Sequence, residues 1–402
     1  MIFQIQIDHG AAWVVEQLEA AGYEAYVVGG CVRDALMGIT PKDWDITTSA
    51  RPEQVKAVFP VTFDTGIEHG TVSVRYEHET YEVTTYRIDG AYTDHRRPTE
   101  VAFTSQLYED LARRDFTINA MAYHPQRGLI DYFEGQRDLK EKCIRCVGKA
   151  EERFEEDALR MLRAIRFAAR LQFTIEPNTF AAIQTKAEGL AHVSRERVAD
   201  EMNKTLLCEN PQGLSHIVSS GLYPYICSQF STETPVNIDF QAPAGVLNQK
   251  ALRWAALLHP LGSEKAGKVL RELKFDNVTH RDTVHLLQFQ EAALPQTGRD
   301  MRFFLNQLGT DYFEALCSLK SATGQASQEQ LASGWTIFEA EKNQCVTLHQ
   351  LAVSGRDLIG AGAQTGKELG RSLTLLLELV MEHPRMNEKE LLLQYFRENM
   401  LV

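Results

Sequence analysis

The 402-residue sequence contains no apolar run long enough to span a bilayer, which argues against a helical membrane protein and against a membrane partner. Its opening, MIFQIQIDHG, lacks the basic start and small-residue cleavage site of a signal peptide, so a cytoplasmic protein is expected. Cysteine is sparse and odd in number, seven in all, which excludes a disulfide framework; small, reduced core residues are expected instead. Only Cys143-Ile144-Arg145-Cys146 has CxxC spacing, and no second pair or histidine pair completes a zinc site. Low-complexity tracts and repeats of steady period are also missing. Basic residues fall short as well: 42 Lys and Arg face 54 Asp and Glu, for a net charge of −12. That disfavours nucleic-acid binding over the whole surface, but a local basic stripe can still hold phosphate.

What is present divides the chain in two. Apolar content of 44% and charged content of 24% are those of a soluble globular protein, and the length suggests two or three domains. The first 140 residues read as mixed α/β. A helical period in AAWVVEQLEAAG leads to the apolar strand Ala25-Tyr26-Val27-Val28, which stops at Gly29-Gly30. Arg51-Pro52 opens a helix, with proline suited to its first turn. The runs 71–76 and 81–86 form a hairpin around the polar turn 77–80. Beyond Lys140 nearly everything is amphipathic helix, exemplified by EEDALRMLRAIRFAARL, VADEMNKTLL, ALRWAALLH and LTLLLELVMEH. Polar, proline-containing stretches at 231–249 and 294–300 mark joints between helical units.

Four stretches carry chemistry. PKDWDITT places Asp43 and Asp45 two apart; in a strand they share one face, with Trp44 on the other. Two carboxylates held that close repel unless a cation lies between them, and magnesium favours a few carboxylates plus water and phosphate oxygens. A chance D-x-D on a surface strand is the bland alternative. Glu82 lies on a neighbouring strand where it could face the pair. In VVGGCVRD, glycine at position 30 permits close backbone approach to phosphate, and Arg33 adds a charge-assisted contact. In ARRDFTINA, apolar residues anchor the segment and leave the arginines at its mouth, where Arg114 can hold a triphosphate bidentately. On a helix through EEDALRMLRAIRFAAR, Met161, Leu162, Ile165, Ala168 and Ala169 form an apolar face opposite Arg160, Arg163, Arg166 and Arg170. Asp157 and Arg160 then stand one turn apart. With Asp157 as the only nearby counter-charge, the arginines point to phosphate as the missing partner.

GGCVRD, DWDI, GTV, RRDFTINA, DYFEG and EDALRMLRAIRFAARL, in this order, resemble the class II tRNA nucleotidyltransferases, the family of CCA-adding enzymes and bacterial poly(A) polymerases. The resemblance covers the first 175 residues motif by motif and the helical remainder more loosely. It implies an α+β fold, a mixed-sheet nucleotidyltransferase head followed by an all-helical neck, body and tail, at 1–140, 141–205, 206–295 and 296–402. It implies template-independent addition of CCA to tRNA from CTP and ATP, with release of pyrophosphate; CC-adding, A-adding and poly(A)-adding enzymes share the scaffold. Asp43 and Asp45 match the acids that hold two magnesium ions. Gly30, Arg33 and Arg114 match triphosphate contacts. Asp157 and Arg160 match the pair that reads the base, and Arg163 and Arg166 continue it toward the nucleotide. The segment 87–106 falls where the family carries a flexible loop that accompanies A addition. Lys265, Lys268, Arg356, Lys367 and Arg371 are candidate tRNA contacts, the glycine-rich stretch 354–370 is a candidate backbone-phosphate contact, and a homodimer is admissible.

Overall fold

The structure, a computed structural model, describes residues 5–89, 101–230, 238 and 240–400. The chain forms two compact units, Met1–Val236 with Arg271–Phe275, and Asn237–Leu270 with Asp276–Val402. Most of segment 87–106, and residues 231–237 and 239 of the joint at 231–249, lie outside the described residues.

The first unit is built on strands β1 (Ala25–Val28), β2 (Ile46–Thr48), β3 (Thr62–Gly66), β4 (Thr71–Tyr76), β5 (Glu79–Thr85), β6 (Arg87–Asp89), β7 (Val101–Phe103), β8 (Met121–His124), β9 (Gly128–Asp131), β10 (Cys143–Ile144) and β11 (Thr174–Ile175). Seven of them make one mixed sheet in the order β3-β4-β5-β2-β1-β8-β9. The expected hairpin is β4–β5, paired from Thr71↔Thr84 to Tyr76↔Glu79; Glu77 takes a positive φ of 52° in its tight turn. Strand β1 is buried on both faces, which is why it reads as an unbroken apolar run. Its core neighbours include Val14 and Leu18 of α1 (His9–Ala20), Val32 of α2 (Gly30–Leu36) and Val55 of α3 (Pro52–Val58).

Helices α4 (Leu107–Ala112), α5 (Gly135–Glu141), α6 (Ala150–Glu156), α7 (Leu159–Leu171), α8 (Pro177–Lys186) and α9 (Arg195–Leu206) complete the part of this unit that concerns the site. One expectation is corrected here: the sequence from 155 to 170 is not one helix. Asp157 has extended backbone (φ −144°, ψ 101°), ending α6, and α7 begins at Leu159. The Asp157 carboxylate accepts from Leu159 N at 3.1 Å, so the side chain starts the next helix rather than continuing the last. The D-x-D pair likewise lies just ahead of β2 and not within a strand. Asp45 remains in register because its carbonyl accepts from Val28 N of β1 at 2.9 Å. Cys143 and Cys146 are free and buried, and burial pushes the Cys146 thiol up to about 12, as suits a small packed core residue.

The second unit is helical. Phe313 and Phe338 stack at 4.3 Å beside Trp335, while Leu376, Val380, Leu392 and Phe396 fill a second cluster. No helix of the described residues is long and apolar enough to cross a membrane.

Candidate active site

A cleft of about 470 Å³ opens in the first unit where α2, the segment after α4, and helices α7 and α9 converge. It is lined by Gly29, Gly30, Asp45, Asp115, Asn119, Asp157, Leu159, Phe167 and eight arginines: 33, 113, 114, 160, 163, 166, 170 and 197. Residues far apart in the chain meet here because β1 and β2 lie side by side at the centre of the sheet. Gly29 closes β1 with φ 83°, and a Cβ there would stand 2.9 Å from Arg114 Nη1. Only glycine permits both that backbone and that approach.

At one end are the acids. Asp45 lines the cleft, whereas Asp43 and Glu82 lie outside the lining but close enough to repel Asp45, and all three are exposed. Ile46 pairs in parallel with Val83, which sets Glu82 beside Asp45 on the adjacent strand. The Asp45 carboxyl is crowded by protein, and this burial raises its pKa; Arg114 opposes the rise and Asp43 adds to it. Glu82 is raised too, first by burial and then by Asp45 and Asp43. Trp44 is half-buried and packs against the core beneath the sheet. Among the described residues no three His, Cys, Asp or Glu side chains are gathered closely enough to hold a metal by themselves. The three mutually repelling carboxylates still fit a hard divalent cation that takes its remaining ligands from water and substrate phosphates.

The arginines correct a second expectation. Those on α7 are not short of counter-charge: Arg160 pairs with Glu156 at 2.6 Å, Arg163 with Asp115 at 2.6 Å, Arg166 with Glu201 at 2.6 Å and Arg170 with Asp34 at 3.3 Å. Arg33 is buried, bound to Asp34 at 2.6 Å and donating to Asn119 Oδ1 at 2.6 Å. Arg113 and Arg114 share Asp110, at 2.8 and 3.5 Å. Arg197 holds the Asp157 carboxylate with two contacts, at 2.7 and 3.3 Å. Eight arginines thus share six carboxylates, Asp34 and Asp110 each serving two and Glu156 serving Arg153 as well, and in the lining of the cleft arginines outnumber acids eight to three. That excess faces the cleft that Asp45 also lines. The Arg114 Nε is buried with no hydrogen-bond partner among the described residues, a donor left over for a ligand oxygen.

Of the site residues named from the sequence, Gly30, Arg33, Asp45, Arg114, Asp157, Arg160, Arg163 and Arg166 line this cleft, and Asp43 and Glu82 stand near Asp45 outside the lining, whereas Arg356 and Arg371 belong to the second unit. Arg160 N donates to Asp157 O at 3.0 Å, while each side chain has its own tether, Asp157 to Arg197 and Arg160 to Glu156 and to Arg113 O at 3.0 Å. Sequence reasoning missed Asp115, which is buried between Arg163, Asn119 and its own neighbour's N–H. It also missed Arg197, and Phe167, whose ring lies under Arg166, Arg33 and Arg163 at 4.2, 5.2 and 5.5 Å. Asp115 could have been found from its place beside Arg114 in RRD; Arg197 offers no such signal.

Comparison with known proteins places these features in context. Residues 25–145 match the poly(A) polymerase head domain, 172–233 the probable RNA- and SrmB-binding site of polymerase A, and 246–396 the family described as tRNA nucleotidyltransferase domain 2. The chain is 41% identical over 388 residues to the CCA-adding enzyme of Lacticaseibacillus paracasei, covering 94% of each. To that of Levilactobacillus brevis it is 39% identical over 392 residues, again covering 94% of each. The crystal structure of the Bacillus stearothermophilus CCA-adding enzyme in complex with CTP superposes with a TM-score of 0.80 at 33% identity, over 96% of both chains. The fold also matches the Thermotoga maritima CCA-adding enzyme complexed with tRNA, with a TM-score of 0.68 at 22% identity, over 98% of this chain and 96% of that one.

Proposed function

This chain belongs to the CCA-adding enzymes, and from that premise we propose how its own residues carry the reaction. The protein is a tRNA nucleotidyltransferase that adds CCA to the 3′ end of tRNA from CTP and ATP without a nucleic-acid template, releasing pyrophosphate. The observation that supports the assignment of roles is the cleft itself: carboxylates at one end, a surplus of arginine along the wall, and the tethered Asp157 and Arg160 at the far side.

The family uses a divalent metal. Asp43 and Asp45 would hold it, as two magnesium ions, with Glu82 beside them. When bound, it would lower the pKa of the RNA 3′-hydroxyl and stabilise the leaving oxygens. Gly30 lets the triphosphate approach the backbone at the start of α2, and Arg33 and Arg114 contact its oxygens. The hydroxyl oxygen attacks the α-phosphorus in line, and the surplus arginine charge along the wall offsets the charge carried away on pyrophosphate.

Base choice needs only side chains. Cytosine N4 and adenine N6 are donors suited to the Asp157 carboxylate, and cytosine N3 and adenine N1 are acceptors suited to Arg160. Uracil and guanine reverse both edges, so each contact becomes unpaired or repulsive. Arg163 and Arg166 extend the same wall toward the nucleotide. The partition into head, neck, body and tail at 1–140, 141–205, 206–295 and 296–402, with tRNA lying on the helical tail in a cytoplasmic setting, goes with this reading.

The test is product sequencing after incubating the protein with tRNA lacking its 3′ end, magnesium, CTP and ATP. Ordered C, C and A is expected; additions of C alone, A alone or a run of A would assign a different member of the family. Asp157→Ala should accept UTP and GTP while still requiring magnesium, and a variant that stays selective for C and A would remove Asp157 from base reading.

A further inference from the structure

Asp110, on α4, is fully buried and lies outside the lining of the cleft, yet it touches both halves of the active site. One carboxylate oxygen accepts from Arg113 Nε at 3.0 Å and Nη2 at 2.8 Å. The other accepts from Arg114 Nη2 at 3.5 Å and from Thr47 Oγ1 at 3.0 Å. Thr47 is itself fully buried and lies on β2, two residues after Asp45. A single carboxylate therefore connects the arginine pair to the strand that follows the acids. Resting on the reading that this cleft holds a nucleoside triphosphate, we propose that Asp110 is a positioning residue that locks Arg114 to the carboxylate strand, fixing the distance between the triphosphate contact and the acids.

The charge balance suits that role. One carboxylate shared by two guanidiniums relieves their repulsion without cancelling their charge, so a net positive charge remains for the polyphosphate. Burial by itself would raise the Asp110 pKa; Arg113 and Arg114 reverse this and hold it below the ordinary carboxylate value, so it stays ionised where the cleft works. Arg114 has its Nε unpaired and passes over Gly29. The long contact to Asp110 is its only carboxylate tether among the described residues.

Asp110→Asn keeps the shape and removes the charge. The KM for CTP and for ATP should each rise on the order of tenfold, as for loss of about one charge-assisted hydrogen bond, with kcat little changed. Inhibition by inorganic pyrophosphate, which probes the polyphosphate contacts alone, should weaken by the same factor. Thr47→Val cuts the tie between Asp110 and β2, along with the weaker donation of Thr47 Oγ1 to Thr84 O at 3.3 Å, and should lower kcat while leaving pyrophosphate inhibition as in the parent. If Asp110→Asn is too unstable to assay, Asp110→Asn combined with Arg113→Met removes the buried charge pair together. A KM in that double variant above that of Arg113→Met alone supports the proposal, because Arg114 is still untethered. A parental KM and pyrophosphate inhibition in either variant, or a loss of kcat alone in Asp110→Asn, would overturn it. Failure of the parent protein to incorporate any nucleotide would instead undo the functional reading on which the proposal rests.

Discussion

At Asp115 a carboxyl gives up nearly all contact with water, which by itself would raise its pKa. The charge and hydrogen bond of Arg163, with Arg160 and the Asn119 amide, together outweigh that burial, and the pKa is held to about 2 against an ordinary 3.8. A depressed carboxyl contributes stability that is fully present above the unfolded-state pKa and is lost as pH falls through the folded-state value. The window here is therefore pH 4 down to pH 2, and the shift corresponds to about 2 kcal/mol. Asp115→Asn should lower the unfolding free energy by that order at pH 7 and flatten its decline in acid. Urea unfolding at neutral pH and near pH 2 checks this. An equal deficit at both pH values would mean that the ion pair is not the source. Residues of this kind are hard to read from sequence because their partners are remote: Arg163 is 48 positions from Asp115, Arg166 is 35 from Glu201, and Arg170 is 136 from Asp34. A stripe of arginines looked unpartnered only because its acids arrive from other elements.

Among the elements, the strand–turn–helix of VVGGCVRD was legible outright. An apolar run buried on both faces, two glycines and a helix start leave few other arrangements. Replacing Gly29 by alanine puts a side chain at φ 83° and ψ −130°, a region essentially confined to glycine, at about 1–3 kcal/mol, and pushes it against Arg114. Gly29→Ala should lower the melting temperature and raise the KM for both nucleotides together, as paired calorimetry and initial-rate assays would record. The break between α6 and α7 was not legible. Apolar spacing continues through it without a phase change, and the interruption is held by the Asp157 side chain capping Leu159 while Arg197 grips it from α9. A contact 40 positions away overrides local helical preference.

At the scale of the whole molecule, the two compact units separate chemistry from what the helical half supplies. The cleft lies entirely in the first unit. The second contains its own buried charge, Lys320, whose ammonium donates to Gln290 O and Ala292 O at 2.5 and 2.7 Å and has its pKa lowered by burial. Lys320→Met leaves two carbonyls without that donor and should cost about 1–3 kcal/mol in the unfolding of the second unit. Calorimetry should record the loss while the KM for CTP in a single addition is unchanged; a raised KM would tie Lys320 to the cleft. The carboxylate-paired arginines of the cleft have a further consequence for inhibitors. A lone sulfate or phosphate ion must evict a carboxylate already in place and returns little for it. A compound with several linked anionic groups can evict several at once and also engage the leftover Arg114 donor. Spacing between anions, more than total charge, is then what an antagonist of this cleft has to match.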